Sequence, residues 1–332
     1  MATPTPELIG SPIPAISVIL PVLNEEAHLQ GAVTSILSQK YLGAIEVILA
    51  LGPSHDRTHE IASELARKDT RVVLVDNPTG RTAAGLNLAL RKSQSPVVVR
   101  VDGHAQIPDN YLALVVEILN ATGAVNVGGV MAAVGTTAFE RAVAGAMRSP
   151  LGVGASRFHT GGQAGEVDTV YLGAFRREAL VAIGGFDERF TRAQDWELNF
   201  RLRENGGLVY FDPRLHVTYR PRSSVKALAK QYFEYGRWRR VVSRRHAGTI
   251  NYRYLAPPVA LAGFSISILC GLLIHQLFFI PAAIYIFFIA LAAVKIGGSI
   301  KEKVLLILVL PTMHFSWGAG FISSPKTLVP QD

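Results

Sequence analysis

Residues 255–294 contain no Asp, Glu, Lys or Arg, a run of 40. That is twice the roughly 20 residues an α-helix needs to cross a bilayer's hydrocarbon, so a lipid phase is the expected surrounding for this part of the chain. His275 and Gln276 divide the run, which predicts a helical hairpin with spans at 254–274 and 278–294. The polar segment KIGGSIKEK follows, with Lys295, Lys301 and Lys303. A third apolar stretch at 304–322 contains Pro311, His314 and Trp317 and reads as short and interrupted. Residues 254–322 are thus expected to form two to three transmembrane helices.

Charge sharpens this picture. Residues 220–253 hold ten Lys or Arg against one acid, Glu234, so this stretch carries more than the whole chain's net +8. A strongly basic segment can bind nucleic acid, but its place beside a membrane hairpin argues against that. Attraction to anionic lipid headgroups, on the order of 1 kcal/mol per cation, is the simpler account, and some cations could also hold a substrate's phosphates. Basic residues before the first span and after the second predict a multi-pass protein of the cell membrane with its large N-terminal part cytoplasmic. Residues 1–15 are Pro-rich and lack the apolar core of a secretory leader. Cys270 is the single cysteine, which excludes an internal disulfide. With 49% apolar and 17% charged residues, a disordered chain is excluded too, and 332 residues suffice for about two domains.

Before the basic stretch, strand and helix patterns alternate. ISVILP (16–21), IEVILAL (45–51), RVVLVD (71–76) and VVVRVD (97–102) are apolar runs rich in β-branched residues, each followed by a helical pattern such as THEIASELARK or TAAGLNLALRKS. Four such units predict a parallel sheet buried on both faces by helices. Ligands of such sheets bind beyond the carboxyl ends of the strands.

The residues at those ends are polar. PVLNEE follows the first strand, GPSHDRT the second, DNPTGRTAAGLN the third, and Asp102, Gly103 and His104 the fourth. Neither a dinucleotide glycine motif nor a P-loop is present. Asn24, Glu25 and Asp56 could still accept bonds from a base or ribose, and Arg81, on a Gly-containing turn before a helix, could meet a phosphate. Asn24 also reads as a helix cap and Asp56 as a turn residue. Asp102 and His104 can both turn toward one divalent cation, although Asp-Gly is equally a turn signature. In TRAQDWELNFRLRENGG, Thr191 and Gln194 have capping-box spacing, which puts Asp195 in a first helical turn where the helix dipole favours its ionised form.

Taken together, ISVILPVLNEE, GPSHDRT, NPTGRTAAGLNLAL, VDGHA, TVYLGAFRREALVAIGGFDERF, AQDWELNFRLR and QYFEYGRWRR resemble family 2 glycosyltransferases of the GT-A fold. They are most similar to the membrane-attached, succinoglycan-type branch. The resemblance implies an α/β catalytic domain at 16–225, a basic juxtamembrane segment at 226–253, the apolar helices, and tails at 1–15 and 323–332. It implies nucleotide binding by Pro21, Asn24, Glu25, Asp56, Arg81, Asn87 and Asp102. Mg²⁺ or Mn²⁺ would be held by Asp102, His104 and His216, with Asp195 as catalytic base. Gly173, Trp196, Gln231, Arg237 and Trp238 would contact the acceptor. His104 stands where the family's motif has Asp, and the Gln231 to Arg237 spacing exceeds that of processive synthases.

The implied activity is inverting transfer of a sugar from a nucleotide-sugar, a UDP-sugar foremost, to a hydroxyl of a polyprenyl-diphosphate-linked glycan. The alternatives are a polyprenyl-phosphate monosaccharide synthase, a non-catalytic nucleotide-sugar-binding membrane protein, and an export component. His275 and His314 are the only ionisable groups the apolar stretches offer to a transport path.

Overall fold

The computed structural model describes residues 13–329. The chain opens with four strand-helix units: β1 (Ile16–Val22), α1 (Leu29–Leu37), β2 (Ile45–Leu51), α2 (Thr58–Lys68), β3 (Val72–Asp76), α3 (Thr82–Lys92), β4 (Val97–Arg100) and α4 (Tyr111–Thr122). Next come β5 (Asn126–Ala133), α5 (Ala138–Met147), two single turns α6 (Pro150–Val153) and α7 (Arg157–Thr160), and short strands β6 (Gly165–Glu166) and β7 (Ala174–Arg176). The domain closes with α8 (Arg177–Ala182), α9 (Gln194–Glu204) and β8 (Val209–Tyr219). Four long helices follow: α10 (Val225–Arg245), α11 (Tyr252–Leu273), α12 (Ile280–Ile296) and α13 (Ile300–Ser323).

One sheet runs in the order β3-β2-β1-β4-β7-β5-β8-β6. The β1–β2, β2–β3, β1–β4 and β5–β8 pairs are parallel, as the apolar runs predict. β7 lies antiparallel between β4 and β5, and β6 is antiparallel to β8. These two strands have two and three residues, too short for a hydrophobic period to reveal. Helices α1, α2 and α4 cover one face through Val33, Ala62 and Val115, while α3, α8 and α9 cover the other through Leu86, Leu180 and Leu198. Strand order reverses direction between β1 and β4, so the crevice outside their carboxyl ends is the place for a ligand.

The C-terminal half departs from the sequence reading in two ways. The apolar stretch with Pro311 is not short and broken; α13 is one continuous helix of 24 residues, and Lys301 and Lys303 form its first turn. The juxtamembrane segment is not a free basic strip either. Leu228 and Tyr232 of α10 share a buried cluster with Met131 of β5, Met147 of α5, and Leu306 and Leu310 of α13. Arg244 donates to the carbonyls of Ser324 and Pro325, and the Arg240 guanidinium lies 5.0 Å over the Phe321 ring. α11, the segment Gln276–Ile296 and α13 are each long and apolar enough to cross a membrane.

Candidate active site

The loop after β1 is laced to the loop after β2. Asn24 takes a left-handed conformation (φ 55°), which Asn tolerates better than most residues. Its backbone N–H donates to Ser54 Oγ at 2.9 Å and its Oδ1 accepts from the His55 N–H at 2.9 Å. It is therefore a loop-to-loop tie and not the helix cap read from sequence. Asp56 accepts from the Thr58 hydroxyl and backbone through Oδ1, and from the Glu26 N–H through Oδ2. The Thr58 hydroxyl bond, ahead of the backbone bonds, keeps this carboxyl below the ordinary Asp range. Pro21 sits in β1 opposite Ala50, at the root of the loop.

At the end of β4 the structure brings together what the sequence separates. Arg100, 6% exposed, donates to Asp102 Oδ1 from Nε (3.2 Å) and Nη2 (3.1 Å), and from Nη1 to Asp195 Oδ1. One guanidinium thus bridges the VDGH turn to the first turn of α9. Asp195 nevertheless has its carboxyl raised to about 6: burial dominates, the Arg100 charge opposes it, and the Asp102 charge adds to it. Tyr171 lies within electrostatic reach of Asp102, Arg100, Tyr219 and Asp195. Sequence reading passed over Arg100 and Tyr171. A lone arginine closing an otherwise apolar strand was the available signal, since burying a charge demands a partner.

His104 Nδ1 meets Glu25 Oε1 at 2.7 Å, and that bond, against the burial that opposes it, raises the imidazole's pKa. A Cβ on Gly103 would come within 3.0 Å of Glu25 Cγ, so the turn packs directly on Glu25. With Nδ1 engaged, the neutral ring offers Nε2, and Asp102 keeps Oδ2 clear of the Arg100 bonds. This donor pair suits a hard divalent cation that takes its other ligands from water and substrate phosphates. His216 does not join them. It is an exposed residue of β8 with Nδ1 3.2 Å from the Arg214 carbonyl, and no cluster of three His, Cys, Asp or Glu suited to a metal exists among the described residues.

Several other predicted contact residues make bonds or packing contacts within the chain. Asn87, on α3, donates to the Phe186 carbonyl and Glu188 Oε1 and accepts from the Phe186 N–H, while Arg81 donates to the Glu188 carbonyl. Both hold the segment leading to α9. Trp238 is buried against Phe190 of that segment, with ring centroids 5.8 Å apart, so it is no open acceptor surface. Gly173 is buried at φ +91°, where a Cβ would strike the Phe175 ring, and its carbonyl receives the Arg100 N–H. The predicted capping box at Thr191 is absent. Ala193, at φ 60°, precedes α9 without a side-chain cap, and Gln194 Nε2 donates back to the Thr191 carbonyl.

Gln231 of α10 donates to the hydroxyls of Tyr219 and Tyr235, both at 2.8 Å. Tyr219 is the last residue of β8, so Gln231 ties α10 to the end of that strand. Arg237 is paired with Glu234 at 2.8 Å. Trp196 has the Arg239 guanidinium 3.9 Å over its ring and stacks with Phe200.

Comparison with known proteins identifies the family and the fold. The family description "Glycosyl transferase family 2" matches residues 17–184. The chain is 31% identical over 314 residues, covering 92% of it and 93% of the relative, to the succinoglycan biosynthesis protein ExoA of Rhizobium meliloti. It is 25% identical over 312 residues, 90% of it and 92% of the relative, to the dolichyl N-acetyl-α-D-glucosaminyl phosphate 3-β-D-2,3-diacetamido-2,3-dideoxy-β-D-glucuronosyltransferase of Methanococcus voltae. Among solved structures, the Pyrobaculum calidifontis mannosyltransferase PcManGT, in complex with GDP-Man and Mn²⁺, superposes with a TM-score of 0.59 at 20% identity, covering 94% of this chain and 87% of that one. S. aureus TarS with UDP-GlcNAc gives 0.52 at 16%, covering 93% and 91%. At these identities the two structures establish the shared fold.

Proposed function

Since the chain belongs to glycosyltransferase family 2, we propose that it transfers a sugar, with inversion, from a UDP-sugar to a hydroxyl of a lipid-linked glycan at the membrane surface. The observation that carries this reading is the Arg100 bridge: one guanidinium bonds both Asp102, in the turn that holds His104, and Asp195. Asp195 accepts the proton of the acceptor hydroxyl as its oxygen attacks the anomeric carbon and the bond to the nucleoside diphosphate breaks. Arg100 holds one Asp195 oxygen and leaves the other to face the acceptor. Asp102 and His104 Nε2 would hold a divalent cation, which when bound neutralises charge on the departing diphosphate. Glu25 orients His104 for that task. Asn87 and Arg81 fix the loop before α9, so the base is positioned by buried structure.

The lipid-linked acceptor is supported by the three apolar helices and by the dolichyl-linked acceptor that the Methanococcus relative's name describes. Asp195→Asn keeps the shape and removes the base. Purified variant should bind nucleotide-sugar normally yet lose about 10² to 10⁴ in turnover, the usual worth of general-base help. Near-normal transfer by that variant would take the role away from Asp195.

A further inference from the structure

We propose that α13 does not cross the membrane. It lies in the near face of the bilayer, its outward stripe against lipid, and the hairpin α11–α12 is the described part that enters the hydrocarbon. Both ends of α13 are held by one body. At its start, Glu302 Oε1 accepts from Arg141 Nε of α5 at 2.8 Å. Midway, His314 Nε2 pairs with the Leu151 carbonyl at 2.9 Å. Near its end, a Cβ on Gly320 would meet the Phe233 carbonyl of α10 at 2.0 Å, and just beyond it Ser324 Oγ donates to the Arg237 carbonyl at 2.9 Å. Val329 then packs with Phe190 and Trp238.

Glu302 and Ser324 are about 33 Å apart along a helix rising 1.5 Å per residue, slightly more than the roughly 30 Å of hydrocarbon in a bilayer. Were α13 to span it, α10 and α5 would be drawn through the hydrocarbon beside it, with Arg141, Lys230, Arg237, Arg240 and Arg244. The cost of charges there excludes that arrangement. The solvent-facing side of α13 is still apolar: Ile300, Val304, Ile307 and Leu308 are exposed at i, i+4, i+7 and i+8, while Leu306, Val309, Leu310 and Met313 face the body.

At the turn of the hairpin, Leu272, Leu273, Ile274 and Leu277 are likewise 62–74% exposed. The hairpin also returns to the body, since a Cβ on Gly145 of α5 would come within 2.9 Å of Ile296 Cγ2 at the end of α12. One leaflet therefore faces a continuous surface of hairpin and α13, and the catalytic body and residues 324–329 lie on the same side of it.

The test uses the full chain carrying Cys270→Ser in sealed proteoliposomes, with single reporters Ser63→Cys on exposed α2 and Thr327→Cys after α13. A membrane-impermeant maleimide should label both reporters in the same outward-facing population before detergent is added. Labelling of Thr327→Cys only after detergent, where Ser63→Cys labels before it, would overturn the proposal.

Discussion

Burial and a buried cation act against each other on Asp195, and the balance sets how the protein should respond to acid. Removal from water favours the neutral carboxyl, Arg100 favours the anion, and Asp102 disfavours it, leaving the group near 6. Only the anion can accept a proton. The active fraction therefore falls as pH drops through about 6, and kcat/KM should lose close to tenfold for each unit below that. The acid limb should stand about two units above that of an ordinary Asp. A profile that stays flat down to pH 5 would exclude Asp195 as the base. Asp195 and the Asp102–His104 pair were legible from motif and position. Arg100 was not, because the pattern of an apolar strand gives no hint of what its last side chain will meet, and the partner Asp195 lies 95 residues away. Trp238, read as an acceptor contact, is buried for a related reason: a motif gives residue type but not which way the side chain faces.

Among the elements, the contact between α10 and α13 is the tightest helix pairing described. Gly236 and Gly320 let backbone lie on backbone, since a Cβ at either would sit 2.0 Å from a carbonyl oxygen of the other helix. Gly320→Ala adds helix propensity of about 1 kcal/mol, but the methyl has no room, and overpacking of this kind costs about 1–3 kcal/mol. Net destabilisation is expected, read as a lower unfolding midpoint in detergent; an unchanged or higher midpoint would show that the helices separate at no cost. Strands β1 and β2 were readable as unbroken β-branched apolar runs, and helix α2 from its helical pattern, because these signals are local. The antiparallel β6 and β7 were not, being stretches of two and three residues fixed by pairing with strands distant in sequence.

For the molecule as a whole, two of the apolar helices, α12 and α13, are part of the catalytic body's core. Met131, Val143, Met147, Leu228 and Tyr232 are buried together with Ile289, Leu306, Val309 and Met313. A chain ending at residue 251 would leave that face uncovered, and exposed apolar patches of this kind drive aggregation. The truncated chain should be insoluble or unfold at markedly lower temperature than the full chain in detergent, checked by expression yield and thermal unfolding. A stable, monodisperse truncated domain would refute the shared core.

The sequence by itself determined the parallel α/β sheet, the existence of a membrane-seeking hairpin and the family's chemical residues. Local period, composition and short motifs are properties of neighbouring residues and survive without a fold. Only the tertiary structure decided that Arg100 joins the two halves of the site, that His216 stands apart from it, and that α13 is bound along its length to the domain. The first and last of these depend on groups brought together across 80 residues or more, and hydropathy along the chain carries no record of which apolar face meets protein and which meets lipid.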